Sequence, residues 1–288
     1  MITSLYQSLC NMETNIADRV ALRWYDEEKQ GVTEVHYAQY AQDLRRFIAF
    51  LRAELGDVKG KRVAILAHNS YQYVICMYGT VIAGAVAVPL NLGKDWDAIS
   101  YELGLTEPVC ILQDGEFAER EPALTETYGS ILKPMDAFAA YEPAEDVTEV
   151  EDLSALAFIM FTSGTTGSSK GVMLSQGNFV ASANAACETT QYDTNDVFVS
   201  VLPIHHTYEL TTGQIAACNC GVTVCICEGV RYATRCFKEY QPTGLILVPL
   251  YLETIHKKIW SEIRRKGMEK KVRAGMAISD KMLMVGID

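Results

Sequence analysis

Residues 156–175 read LAFIMFTSGTTGSSKGVMLS. The apolar run Leu156–Phe161 has the length and composition of a buried strand. It passes directly into Thr162-Ser163-Gly164-Thr165-Thr166-Gly167-Ser168-Ser169-Lys170-Gly171, after which a short apolar piece leads to a helix expected to begin near Gln176. Glycines allow positive φ and a close backbone approach, and the consecutive N–H groups and hydroxyls of such a tract converge as donors on phosphate oxygens. Lys170 adds a charge, and each charge-assisted hydrogen bond contributes about 1.5–3 kcal/mol. The spacing excludes a Walker loop: Ser169 stands five residues after Gly164, and Lys170 is followed by glycine instead of serine or threonine. There is no G-x-G-x-x-G to suggest a dinucleotide turn. A plain Gly/Ser connector is the competing explanation, and the tight framing by LAFIMF and GVMLS weighs against it.

Other apolar runs of strand length recur at Val63–Ala67, Ala85–Leu90, Val109–Gln113, Val197–Leu202, Val222–Cys227 and Gly244–Val248. Tyr37–Leu55 places Tyr40, Leu44, Phe47, Ile48 and Leu51 at helical spacing, and Tyr71–Ile82 predicts a second helix. Continuous apolar strands alternating with helices predict an α/β fold with a mostly parallel sheet covered on both faces. Ligands of such sheets sit beyond the carboxyl ends of the strands.

A formal charge of −11 opposes long-range attraction to nucleic acid. The longest apolar stretch, Val81–Leu90, is too short for a membrane span and contains Gly84 and Pro89. The first residues have neither a basic nor an apolar signal region, so a cytoplasmic home is expected. Nine scattered cysteines fit reduced thiols better than a disulfide framework. The pairs Cys218/Cys220 and Cys225/Cys227 are spaced too tightly for usual zinc sites and read as buried thiols. Glu142–Asp152, with six acids in eleven residues, is expected to be a solvated connector. Lys257–Arg273 carries eight Lys or Arg. An ordinary solvated helix face is the favoured explanation there, and peripheral contact with an anionic membrane the alternative.

At Thr162–Gly171 the chain resembles the adenylate-forming (AMP-binding) superfamily of acyl- and aryl-CoA synthetases, luciferases and peptide-synthetase adenylation domains. The departure from its signature is Ser169, where proline is usual. Lys61–Leu66 with His68-Asn69-Ser70 and Gly84–Asn91 resemble the family's early βαβ segment, and Val248-Pro249-Leu250-Tyr251 a further structural element. Ser200–Glu209 (SVLPIHHTYE) is most similar to long-chain fatty acyl-CoA ligases. The resemblance implies layered αβα subdomains, one over residues 57–190 and a partial second over 1–56 with 191–288. The family's later motifs and its mobile C-terminal domain are not found in these residues, so the chain looks like the front part of a ligase, inactive alone.

The resemblance also implies roles. Thr162, Ser163, Gly164, Thr165, Thr166, Gly167 and Lys170 would bind the phosphates of ATP. Thr162 would serve as a magnesium ligand, and His206 would line the acyl pocket. The parent reaction would join a carboxylic acid to CoA through acyl-AMP. A non-amino acid is favoured because Pro203-Ile204-His205-His206 offers no aspartate for an ammonium. A fatty acid is preferred, with an aryl acid or a noncatalytic ATP-binding role as alternatives. A partial second lobe would expose apolar surface, so a homodimer is expected.

Overall fold

The computed structural model describes residues 1–27, 29–163, 169–227, 229 and 232–284. Packing divides the chain into Met1–Ile246 and Leu247–Asp288. The first unit holds two sheets. One runs β6-β5-β3-β4-β7-β8, formed by β3 (Arg62–Leu66), β4 (Val86–Pro89), β5 (Cys110–Gln113), β6 (Leu132–Pro134), β7 (Leu156–Ser163) and β8 (Ser169–Ser175). The other runs β11-β9-β10-β1-β2, formed by β1 (Val20–Asp26), β2 (Gly31–His36), β9 (Val197–Ser200), β10 (Thr223–Ile226) and β11 (Gly244–Leu245). Pairing is parallel except at the two hairpins, β1–β2 and β7–β8.

The helices of this unit are α1 (Leu5–Thr14), α2 (Tyr37–Leu55), α3 (Tyr71–Ile82), α4 (Trp96–Thr106), α5 (Glu116–Arg120), α6 (Pro122–Tyr128), α7 (Gln176–Thr190), α8 (Ala217–Asn219) and α9 (Ala233–Tyr240). A π-helix at Glu209–Ala216 runs into α8.

Successive strand side chains point to opposite faces, so a strand apolar at every position must be covered on both. After Arg62, strand β3 meets this condition: Val63 and Ile65 join the larger apolar cluster, while Ala64 and Leu66 join a second one with Val86, Val88, Ile99 and Leu103. Helix α3 is buried at every position except Gln72, as expected of a helix that is apolar all round. It packs with α2 between the sheets, and the larger cluster joins Leu22 of β1 and Ile226 of β10 to Val63 of β3 through them. Tyr71 ties the layers together: its ring stacks on Trp24 at 5.3 Å, and its hydroxyl donates to Asp43 Oδ2 at 2.7 Å. Gly79 lets α2 approach α3, since a Cβ there would lie 2.3 Å from Phe47 Cδ1.

The expected helices Tyr37–Leu55 and Tyr71–Ile82 form with those limits. The expected strands form but end earlier: Val197–Leu202 stops at Ser200 and Gly244–Val248 at Leu245. Chain leaving the sheet at those points builds loops instead. The segment after the Gly/Ser/Thr tract, expected only as a short apolar piece, is strand β8, antiparallel to β7.

The acidic stretch 142–152 forms no helix or strand and exposes all six of its acids, as expected of a solvated connector, though it is tied down at points. Arg45 donates to the Ala144 carbonyl at 3.0 Å, Arg52 pairs with Asp146 at 2.7 Å, and Val147 is buried. Two arginines of α2 thus tie the backbone of this stretch and one exposed acid, Asp146, to that helix.

In the second unit the basic cluster forms two helices, α10 (Pro249–Arg265) and α11 (Glu269–Met284), instead of one face. Gly267 at φ 66° stands between them, the left-handed conformation that favours glycine after a helix end. Within this unit Arg273 lies 4.7 Å from the Trp260 ring centroid and pairs with Glu269 at 3.0 Å.

Candidate functional site

The loops that leave the carboxyl ends of β3, β4, β7 and β9 supply the candidate residues, as the rule for parallel sheets anticipates. Strand β7 ends in Thr162 and Ser163, and β8 begins with Ser169 and Lys170. The register pairs Thr162 with Lys170 and Ser163 with Ser169. Directly opposed residues of an antiparallel pair share a face, so Thr162 and Lys170 stand side by side, both exposed. Gly164, Thr165, Thr166 and Gly167 lie outside the described residues, as does Ser168. The described frame of the tract is its two strand ends.

The loop after β4 delivers a second lysine to the other face of this hairpin. Asn91 Oδ1 accepts from the Gly93 N–H at 2.8 Å, and Asp95 caps α4 by accepting from Ala98 N–H at 2.9 Å. Lys94 is held between these two turns. Its ammonium pairs with Glu102, which is fully buried one face along α4, and donates to Ser169 Oγ at 3.2 Å. It also lies 5.8 Å from the Phe161 ring centroid.

The loop after β3 reaches across to the other sheet. Asn69 Nδ2 donates to the Leu202 carbonyl at 2.8 Å, while its Oδ1 accepts from Ile204 N–H at 3.0 Å. This clasp fixes the turn that carries His205 and His206, whose ring centroids are 4.3 Å apart. His205 is half-buried and its Nε2 has no partner among the described residues. Burial, then His206, then the Lys94 charge push its pKa down to about 3, so the ring is neutral at physiological pH. His206 is exposed, and partial desolvation together with Lys94 holds it below the ordinary imidazole value. Lys94 thus acts electrostatically on both histidines as well as on the hairpin.

Behind the histidines, Glu209 opens the π-helix and is fully buried. Its Oε1 accepts from Ser200 Oγ at 2.5 Å, and Gln214 Nε2 donates to the same hydroxyl at 3.1 Å. Burial raises the carboxyl pKa to about 7. Runs of π-helix are rare and concentrate at functional sites.

The structure therefore brings Thr162, the end of β7 at Ser163, and Lys170 to one hairpin, and places His206 in the adjoining loop after β9. Sequence reasoning missed Lys94, Glu102, Asn69 and Glu209 as participants. A lysine just before a helix cap and a glutamate in an otherwise apolar helix face, Ile99 to Leu103, were the available signals. Among the described residues no group of three or more His, Cys, Asp or Glu could hold a metal ion.

Comparison with known proteins agrees with this geometry. The family described as "AMP-binding enzyme" matches residues 12–284. A chloroplastic long-chain-fatty-acid–[acyl-carrier-protein] ligase of Arabidopsis thaliana is 27% identical over 291 residues, 89% of this chain and 39% of that ligase. The long-chain-fatty-acid–CoA ligase FadD13 of Mycobacterium tuberculosis is 32% identical over 200 residues, 65% of this chain and 39% of that protein. A mitochondrial malonate–CoA ligase of Mus musculus is 28% identical over 175 residues, 59% of this chain and 30% of its own length. Among solved structures, ATP-bound MatB of Rhodopseudomonas palustris superposes with a TM-score of 0.75 at 24% identity, over 87% of this chain and 50% of MatB. The chain thus spans half or less of the length of these relatives. With the match running across nearly all of its residues, the chain belongs to the AMP-binding enzyme family, and its two sheets have the fold of that family's N-terminal domain.

Proposed function

We propose that the chain is the nucleotide-binding part of an ATP-dependent acid–thiol ligase, which activates a carboxylic acid as its adenylate and passes the acyl group to CoA. The observation that carries this reading is the β7–β8 hairpin, where Thr162 stands opposite Lys170 at the carboxyl end of a parallel sheet. Hydroxyl, backbone donors and ammonium suit the β- and γ-phosphates of ATP, held by Thr162, Ser163, Gly164, Thr165, Thr166, Gly167 and Lys170. Magnesium prefers oxygen ligands and retains waters, so the exposed Thr162 hydroxyl together with phosphate oxygens fits its habits. Such an ion would neutralise phosphate charge. CoA enters as the acyl acceptor, and no residue of this chain is assigned to it.

The chemistry is positioning and charge neutralisation. A carboxylate oxygen attacks the α-phosphorus and pyrophosphate leaves; the thiol then attacks the acyl carbon and AMP leaves. His206 would border the acid, beside a His205 that stays neutral, an arrangement suited to an uncharged acyl chain. A fatty acid is the preferred substrate, supported by the two fatty-acid ligases among the relatives. The malonate ligase among them keeps the acid class broader than that, and an aryl acid is the alternative. The six-stranded sheet would centre a subdomain over residues 57–190, and the five-stranded sheet one over 1–56 with 191–288. A cytoplasmic setting and a homodimer belong to the same reading. Among the described residues no helix is long and apolar enough to cross a membrane.

A second reading is nucleotide binding without catalysis. Both readings require Lys170. Titration calorimetry with Mg-ATP is expected to show Lys170→Ala binding about 10–100-fold more weakly, the equivalent of about 1.5–3 kcal/mol. Equal affinity in the two proteins would remove the loop from the site.

A further inference from the structure

We propose that Lys94, anchored by the buried carboxylate of Glu102, is a positioning residue that fixes the β7–β8 hairpin through the Ser169 hydroxyl. The inference rests on the nucleotide-site reading above for its consequence, though not for its geometry.

Three observations meet at this point. Glu102 is fully buried on α4 and takes Lys94 as its ionic partner, while its Oε2 has no hydrogen-bond partner among the described residues. An ammonium next to a buried carboxylate is held in place strongly, because separating them would leave an uncompensated charge in the interior. A flexible lysine is thereby made into a fixed donor. That donor reaches Ser169 Oγ at 3.2 Å, at the first residue of β8.

Strand β8 lies at the edge of its sheet, paired on one side only by β7. Among the described residues its other side carries no ladder, so an added tether from α4 restricts where the hairpin end can move. Ser169 is also the position at which the chain departs from the family signature. Proline stiffens a chain by fixing φ near −65° and has no side-chain hydroxyl. Serine gives up that stiffness, and in this chain its hydroxyl is the group that Lys94 binds. The bond acts from the face opposite Thr162 and Lys170, which are left clear for phosphate.

The test uses the 288-residue chain and variants that keep the buried charge satisfied. Ser169→Ala removes the acceptor and leaves the Lys94–Glu102 pair whole. Ser169→Thr keeps a hydroxyl at the same place. Lys94→Met combined with Glu102→Gln removes the tether without stranding a carboxylate. Amide hydrogen exchange of residues 161–163 and 169–172 is read by NMR without nucleotide, and Mg-ATP affinity by calorimetry.

Ser169→Ala and the Lys94→Met/Glu102→Gln pair are each expected to speed exchange in the hairpin several-fold and to weaken ATP binding by about tenfold, the scale of one charge-assisted hydrogen bond. Ser169→Thr should restore both. Adding Ser169→Ala to the pair should change nothing more, since both remove the same contact. Exchange in Ser169→Ala equal to that of the unaltered chain would overturn the proposal, as would additive effects of the two routes. If exchange responds as expected but no form binds ATP, the tether stands and the nucleotide reading falls. If ATP binds through Lys170 while exchange and affinity ignore Ser169→Ala, the tether falls and the nucleotide reading stands.

Discussion

Glu209 has no solvent contact, and its carboxyl titrates near 7 because burial penalises the anion. Between its ordinary value of 4.5 and about 7, the folded chain holds a proton that the unfolded chain has released. The native state then binds more protons than the unfolded one, so this group lowers stability as pH rises through that window and has no further effect above it. The displacement corresponds to about 3 kcal/mol. Glu209→Gln preserves shape without the ionisation. Its stability relative to the unaltered protein is expected to increase from pH 5 to pH 8, read as urea midpoints at the two values. A difference that stays constant with pH would mean that Glu209 does not titrate in the interior. His205 behaves oppositely in sign of charge: it is half-buried and neutral, and protonation falls outside the pH range of ordinary assays.

The elements differ in how much of each is written in local pattern. Helices α2 and α3 were legible because their periodicity is local, and α7 begins at Gln176 because Ser175 and Asn178 form a reciprocal cap. Strands β1 and β2 were missed. In β1 only Ala21 and Leu22 are buried and β2 has no buried residue, so neither presents an apolar run. The π-helix was illegible because its spacing is set by burying Glu209 against Ser200 and Gln214, which are brought together only by the fold. The same limit hid the Lys94–Glu102 pair, whose meaning depends on Ser169, 75 residues away. The strand leading into the Gly/Ser/Thr tract was legible from its apolar run, as β7 shows, and residues 164–168 of the tract lie outside the described ones. Where α2 and α3 cross, Gly79 admits Phe47. Gly79→Ala is therefore expected to destabilise by about 1–3 kcal/mol through overpacking, measured by urea unfolding. An unchanged midpoint would show that the helices can part there without cost.

At the scale of the molecule, one unit carries both sheets and every candidate residue, and the second is a helical pair with its own ion pairs. Leu250, Leu252, Ile259, Met276 and Ile278 on that pair are exposed. The homodimer of the proposed reading is expected to give a sedimentation coefficient that rises with concentration, and a monodisperse monomer throughout would count against it. The hairpin is proposed to belong to a site that activates carboxylic acids. Acid-dependent exchange of labelled pyrophosphate into ATP tests it most directly, using fatty, aryl and amino acids with Lys170→Ala as control. Exchange with a fatty acid, lost in the variant, is expected if these residues suffice for adenylation, and Lys170-dependent ATP binding without exchange if they form only its nucleotide site. Exchange that survives Lys170→Ala, or ATP binding indifferent to it, would remove the hairpin from the site.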